Sequence, residues 1–397
     1  MAHPLHFVSI EAIKEALQNN DPSLAVEKIK ELLEREKNIP LNIGITGESG
    51  SGKSTFVNAF RGIDNMDEGA APTDCDETTM EVTPYPHPNY PNVTLWDLPG
   101  IGTPDFPADK YLELVEFKRF DFFIIISDTR FRENDVKLAQ EIQKLEKTFY
   151  FVRSKIDIDL QNQERSQREF NAERTLSNIR ANCIQGLQKA GVVSPQVFLV
   201  ASFDLQLYDF ALLGEILERE LPEHKKNALL LAMPNISLEV INKKKKSFHN
   251  NIKYWATASA AVGAVPVPGL SITVDVVMLV GVVTQYVLGF GLDSPSLKRL
   301  SNRTNVPYND LIDIIISPLA ATKITPDLLL KVIGQVAGSV ALIAVEEGSR
   351  FIPILGIPLA MGLSFISTYN ILKTILNMLA EDAQSVFKRA LGLNTSV

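Results

Sequence analysis

Cysteine is nearly absent from the chain. The 397 residues hold only Cys75 and Cys183, far apart and without the spacing of a metal-binding pair. That excludes a disulfide framework and a cysteine-built zinc site, and fits reduced thiols in the cytosol. Positive charge is also short. The 39 Lys and Arg against 47 Asp and Glu leave a formal net charge of −8, without the basic footprint that nucleic-acid binding needs. The N-terminal Met1-Ala-His-Pro-Leu-His6 has no charged stretch ahead of an apolar core, so no signal peptide is expected. Ala2 stands where N-myristoylation needs glycine, which excludes that anchor. A cytoplasmic chain follows, and the length suggests two domains.

The remaining sequence is organised around Leu41–Asn58, LNIGITGESGSGKSTFVN. An apolar run (Leu41, Ile43, Ile45) breaks at Gly47, and a helical pattern resumes after Gly52. Between them lies G-x-x-x-x-G-K-S, comprising Gly47, Glu48, Ser49, Gly50, Ser51, Gly52, Lys53 and Ser54. Glycines at this spacing let backbone N–H groups turn inward around a phosphate, and the following helix points its positive end at the same anion. Lys53 then reaches the β- and γ-phosphates, and the Ser54 hydroxyl is placed to ligate Mg²⁺.

Ahead of this loop, residues 9–37 read as two amphipathic helices. Ser9 caps the first. Asp21-Pro22 supplies a cap and a first-turn proline for the second, whose apolar stripe is Leu24, Ile29, Leu32 and Leu33. From Leu41 to about Leu221 apolar strands alternate with helical stretches, the pattern of a doubly wound, mostly parallel α/β sheet. Strands are expected at Asn42–Thr46, Val93–Asp97, Phe122–Ser127, Phe149–Arg153 and Val197–Ala201. Ligands of such sheets bind beyond the carboxyl ends of the strands, and each further motif falls at such an end.

The first of these is Asp97-Leu-Pro-Gly100. Its Asp can hold the Mg²⁺ shell through water and its Gly N–H can sense the γ-phosphate. Before it lies the polar loop 69–79, in a place where phosphate switches carry a Thr that meets Mg²⁺ and the γ-phosphate. Thr73, Thr78 and Thr79 all qualify, and the residues alone do not choose. Ser154-Lys-Ile-Asp157 follows the next strand. An Asp here accepts two hydrogen bonds from guanine N1–H and the 2-amino group, while Lys155 packs on the base. Adenine offers no such donor pair, so the expected ligand is GTP or GDP. Ala201-Ser202 would support guanine O6. Where many GTPases place a water-orienting Gln after the D-x-x-G glycine, this chain has Ile101. Either hydrolysis is slow or a group from elsewhere, such as a second subunit, completes the site.

Beyond Leu221-Pro222 the chain reads as a linker with Met233-Pro234, then a long helix from Ser237. The charge run Lys243–Lys246 reads as a solvated helix face. Residues 255–292, apart from Asp275, and 351–372 are uncharged and long enough to span a membrane. Their small, polar, Pro and Gly residues favour buried helices of an all-α domain, with reversible membrane insertion or true spans as the alternatives. Ser294–Leu300, Tyr308–Ile315 and Ala380–Leu391 read as ordinary amphipathic helices.

Several runs outside the generic motifs carry a resemblance: Gly69-Ala-Ala-Pro-Thr73, Glu77-Thr-Thr-Met80, Tyr85-Pro-His-Pro88, Trp96-Asp-Leu-Pro-Gly100, Asp121-Phe-Phe-Ile-Ile-Ile-Ser127 and Phe149-Tyr-Phe-Val-Arg153. Over nearly its whole length the chain resembles the interferon-inducible, immunity-related GTPases. The resemblance implies an α/β P-loop GTPase domain (39–222) and an all-α helical domain built from an N-terminal segment (1–38) and the C-terminal half (223–397). It also implies a dynamin-like GTPase of innate defence that self-assembles with GTP through its nucleotide face and associates reversibly with intracellular membranes, such as those of the endoplasmic reticulum, Golgi or pathogen-containing vacuoles. Lys53 in the loop matches effector-type members. The nucleotide contacts implied are Gly50, Gly52, Lys53, Ser54, Thr55, Thr73, Lys155, Asp157 and Ser202, to which the loop and switch readings add Gly47, Ser51, Asp97, Gly100 and Ile158. Glu77 occupies the place of a glutamate that takes part in dimer-stimulated hydrolysis. Lys53, Ser54, Glu77 and Thr79 are thus the expected catalytic set, and Ser54, Thr79 and Asp97 the expected Mg²⁺ ligands. The alternative is a nucleotide-gated binding module with negligible hydrolysis.

Overall fold

A computed structural model of the chain describes residues 4–73, 81–99, 115–128, 132–263, 271–340 and 349–393. The backbone clusters into two units, one of Pro40–Ile236 and one of Met1–Ile39 with Ser237–Val397.

The first unit contains a six-stranded sheet. Its elements are β1 (Leu41–Gly47), α3 (Lys53–Phe60), β2 (Thr83–Pro86), β3 (Val93–Asp97), β4 (Phe122–Ser127), α4 (Glu133–Lys144), β5 (Phe149–Arg153), α5 (Ile156–Ser166), α6 (Ala172–Lys189), β6 (Val197–Leu199), α7 (Phe210–Glu220) and α8 (Glu223–Ala232). The strand order is β2-β3-β1-β4-β5-β6. All neighbours are parallel except the edge pair β2 and β3. All six residues of β4 are buried. Successive strand side chains point to opposite faces, so both faces of the sheet are covered, which is why the strand reads as a continuous apolar run. Phe123, Ile125 and Phe151 pack there with Leu138, Ile142 and Leu187. Phe56, Phe60 and Phe210 form a second aromatic cluster between α3 and α7, with centroids 5.9–6.2 Å apart.

Three sequence readings change here. β2 went unread because its sequence, Thr-Pro-Tyr-Pro, carries two prolines; such a strand is tolerated only at a sheet edge, where it lies. β6 ends at Leu199 rather than Ala201. The segment 223–236, read as linker and placed beyond a boundary at 222, holds α8 and belongs to the sheet unit. There α8 packs on β1 and β3, and Lys225 Nζ pairs with Asp121 at 2.5 Å.

The second unit holds α1 (Pro4–Gln18), α2 (Pro22–Lys37), α9 (Leu238–Gly263), α10 (Ser271–Gly289), α11 (Ser294–Thr304), α12 (Tyr308–Ile312), α13 (Pro326–Val340), α14 (Phe351–Leu355) and α15 (Leu359–Ala390). Asp21 caps α2, accepting the Leu24 N–H at 3.0 Å. Ala25, Ile29, Leu32 and Leu33 are buried, at i, i+4, i+7 and i+8, and α2 packs on α1 and α9. Leu24 instead faces solvent, 39% exposed. α1 begins at Pro4, ahead of the Ser9 cap that the sequence suggested. The apolar stretch from 359 and the amphipathic one from 380 are one 32-residue helix, α15. It is separated from α14 by Gly356, with φ of 66°, and starts after Pro358. α9 runs against α15, joined by a buried contact of 3.0 Å between the Ser259 and Thr368 hydroxyls. Lys244, read as part of a solvated run, is buried. Residues 241, 244 and 248 share one covered stripe of α9, and Lys244 Nζ donates to Gly289 O at 3.1 Å. Burial lowers its pKa to about 7.

Two stability outcomes follow. A Cβ on Gly44 of β1 would sit 2.8 Å from the Phe123 ring and 3.3 Å from Phe120, so Gly44→Ala is expected to cost about 1–3 kcal/mol. In α7, the Cβ of Gly214→Ala meets only the end of the Met233 side chain, which can swing aside. Alanine also gains up to about 1 kcal/mol of helix propensity over glycine. Urea midpoints checking these should fall clearly for the first variant and stay near wild type for the second; the reverse order would contradict the packing. Asp135 is buried at 1% exposure, and its carboxylate accepts from Ser127 Oγ at 3.1 Å and the Arg132 N–H at 3.0 Å. Desolvation outweighs these bonds and pushes its pKa up to about 6. The unfolded value is about 4, so the native state holds the extra proton between those limits. Stability is therefore fully present below pH ~4 and falls by about 2–3 kcal/mol as pH rises through 6. Asp135→Asn should remove that contribution to the slope, read from denaturation at about pH 4, the lower edge of the window, and at about pH 7.5, beyond its upper edge. Parallel curves for variant and wild type would refute it.

Candidate nucleotide site

Register places the candidate residues along one edge of the sheet. Ile45 pairs with Asp97, Gly47 with Ile126, Ser127 with Arg153, and Arg153 with Leu199. The carboxyl ends of β3, β1, β4, β5 and β6 therefore stand side by side. The chain passes from β1 to one neighbour and then returns to the other, so the crevice of a topological switch point opens beyond β1.

The loop from Gly47 to Gly52 fills that place. Gly47 has φ of 142°, and a Cβ on it would collide with the Ile126 carbonyl. Gly52, with φ of 94°, caps α3 in the left-handed region. Among the described residues no side chain caps α3, so its first-turn N–H groups are placed to meet an anion. Lys53 is only 6% exposed; its Nζ donates to Glu48 O at 2.9 Å and Gly47 O at 3.3 Å. The Ser51 hydroxyl is buried at 1% exposure and has no hydrogen-bond partner among the described residues. A buried hydroxyl without a partner costs free energy, and a bound phosphate would remove that cost.

Ser54 Oγ donates to Asp97 Oδ2 at 2.5 Å. A hydroxyl and a carboxylate so close are the hard oxygen donors that Mg²⁺ takes, with most of its shell left to water and phosphate. The residues present fit the ion.

The base-side motif is tied directly to this loop. Lys155 caps α5 with φ of 56°, a left-handed conformation costly for a side chain with a Cβ and concentrated at functional sites. Its Nζ donates to Gly50 O at 2.7 Å. Ser154, 1% exposed, brings its hydroxyl within 2.7 Å of Ser51 O and 3.2 Å of Ser127 O. Its role as a strut between loop and motif was not read from the sequence, because both acceptors are backbone atoms remote in the chain. Asp157 stands half-buried in the first turn of α5, and its side chain takes no hydrogen bond from a described residue. Ile158 beside it is 47% exposed. Ser202 is half-buried after the covered Ala201, and Thr55 is half-buried in α3.

Thr73 is exposed, two residues past Ala71, whose backbone is pinned by Asn58 at 2.7 and 2.8 Å. No hydrogen bond joins Thr73 to the loop among the described residues. Glu77, Thr78, Thr79, Gly100 and Ile101 lie outside the described residues.

The comparisons with known proteins point the same way. The model of the interferon-inducible GTPase family matches residues 7–390. The chain is 41% identical over 384 residues to Interferon-inducible GTPase 5 of Rattus norvegicus, covering 96% of this chain and 82% of that one. It is 35% identical over 391 residues to Interferon-gamma-inducible GTPase 10 of Mus musculus, covering 98% and 91%. Interferon-inducible GTPase 1 of Mus musculus matches at 38% over 310 residues, 78% and 75% of the two chains. With a family match that spans the helical segments as well as the phosphate loop, the chain is a GTPase and belongs to the interferon-inducible GTPase family.

Proposed function

We propose that the chain binds GTP with Mg²⁺ at the carboxyl edge of the sheet, hydrolyses it, and couples turnover to self-assembly on intracellular membranes in innate defence. The carrying observation is the buried Lys53 inside a loop whose helix is uncapped. A cation desolvated there is costly unless an anion or several acceptors meet it, and the geometry is suited to both. Lys53 neutralises phosphate charge. Ser54 and Asp97 would hold Mg²⁺, which when bound supplies charge neutralisation at the β- and γ-phosphate oxygens. Lys155, anchored on Gly50, presents its alkyl chain to the base. Asp157 accepts the two donors on guanine and excludes adenine. Gly50, Gly52, Thr55 and Ser202 contribute contacts, and Thr73, Thr79, Gly100 and Glu77 act from the switch segments.

Assembly enters through Ile101, an apolar residue that cannot orient the attacking water. A group from a second copy meeting the nucleotide face, with Glu77 taking part, completes the site. The reading of membrane association is supported by Val276–Thr304, which takes in most of α10 and is the one range among the described residues long and apolar enough to cross a bilayer. Half of its most apolar part is buried, which favours reversible surface attachment over a fixed span. The relatives' interferon-inducible names support a place in defence.

The GTPase rate per molecule should climb with protein concentration while ATP is left unhydrolysed; a flat, near-zero rate alongside tight GTP binding would sink assembly-activated turnover. Lys53→Ala should lose a charge-assisted contact worth about 1.5–3 kcal/mol, hence roughly tenfold to hundredfold in GTP affinity, with an unchanged circular dichroism spectrum. Asp157→Asn should lose affinity for GTP and gain it for xanthosine triphosphate, whose 2-oxo group suits an amide donor. Titration calorimetry finding GTP affinity unchanged would undo the base assignment.

A further inference from the structure

The phosphate-binding loop contains one carboxylate, Glu48. A negative charge inside an anion-binding loop opposes its ligand, so its surroundings matter. Both of its oxygens are engaged. Oε2 pairs with the Arg132 guanidinium, and Oε1 accepts from Asn134 Nδ2 at 2.9 Å. Arg132 in turn lies 3.7 Å from Asp128 Oδ1, whose other oxygen pairs with Lys155 Nζ at 2.9 Å. Lys155 returns to the loop at Gly50 O, 2.7 Å away. Charges therefore alternate along Glu48, Arg132, Asp128 and Lys155, and the contacts close into a ring that begins and ends on the loop.

Fold stability does not explain this ring. Arg132 is 43% exposed and Glu48 18%, and ion pairs in such settings are typically worth about 0–1 kcal/mol. The larger consequence is electrostatic. Uncompensated, Glu48 would repel every phosphate charge brought to its loop, and a triphosphate brings one phosphate more than a diphosphate. Resting on the reading of the loop as a GTP site, we infer that Arg132 is a positioning residue for the nucleotide. It neutralises Glu48 and holds it toward the start of α4, and so raises the affinity for GTP more than that for GDP.

The test is calorimetric titration of a non-hydrolysable GTP analogue and of GDP, each with Mg²⁺, into wild type, Arg132→Ala, Arg132→Lys, Glu48→Gln and the double variant Glu48→Gln/Arg132→Ala. Arg132→Ala should weaken the GTP analogue about tenfold and GDP about threefold, with an unchanged melting temperature. Arg132→Lys should retain most of the wild-type affinity for both nucleotides. Glu48→Gln should bind the analogue as tightly as wild type or tighter, and the double variant should recover the affinity that Arg132→Ala lost. A double variant as weak as Arg132→Ala, or equal losses for both nucleotides, would overturn the inference, as would an Arg132→Ala affinity for the GTP analogue within about fivefold of wild type (the reach of a typical surface pair of about 1 kcal/mol). Wild type failing to bind the analogue at all would instead refute the GTP site itself, so the two failures are distinct.

Discussion

A lysine that is 6% exposed has to be met by acceptors, and the whole sheet unit is arranged so that Lys53 is. Its ammonium lies against the Gly47 and Glu48 carbonyls, and those carbonyls turn inward because glycines take positive φ in the loop. The glycine at 47 is required twice, by its φ and by the Ile126 carbonyl behind it. From this one constraint the rest of the site follows outward. The uncapped start of α3 faces the same space, Ser54 reaches across to Asp97, and Ser154 and Lys155 brace the loop from β5.

The helical unit solves a different problem. Two long uncharged stretches had to be buried or handed to lipid. α9 and α15 pack on each other, and Ala256, Ala258, Ala260 and Ala261 of the first and Phe365, Tyr369 and Leu372 of the second are buried. A carboxylate buried inside it is met by backbone donors. The Asp382 carboxylate, 2% exposed, accepts the Ile316 and Ser317 N–H groups at 2.8 and 2.9 Å. Its desolvation still raises its pKa above the usual carboxylate value. Lys244 shows the cost of burying a single charge, since desolvation draws its pKa down toward neutrality.

How far the sequence could be read depended on whether the signal was local. β1, β3, β4 and β5 were legible within a residue because apolar runs ending at polar motifs are written in consecutive positions. The Asp21-Pro22 cap was legible for the same reason, and the structure shows its hydrogen bond. The prolines of β2 hid a strand that pairing with β3 creates. A charged run hid Lys244, because which of four consecutive lysines turns inward depends on where α10 packs. α8 was hidden as linker, its burial decided by contact with β1 and β3.

The sequence by itself determined the chemistry: a glycine-spaced loop with Lys53 and Ser54, an Asp97 and an Asp157 at strand ends, and long uncharged stretches that carry small and turn-forming residues. Local spacing is enough for these, since backbone conformation and helix direction are set by neighbours in the chain. Only the tertiary structure decided which side chains answer one another. Glu48 meets Arg132 across 84 positions, and Lys155 meets Gly50 across 105. The reason is that strand register and crossover direction bring together residues that share nothing along the chain, and a partner's identity is fixed only when both ends are in place.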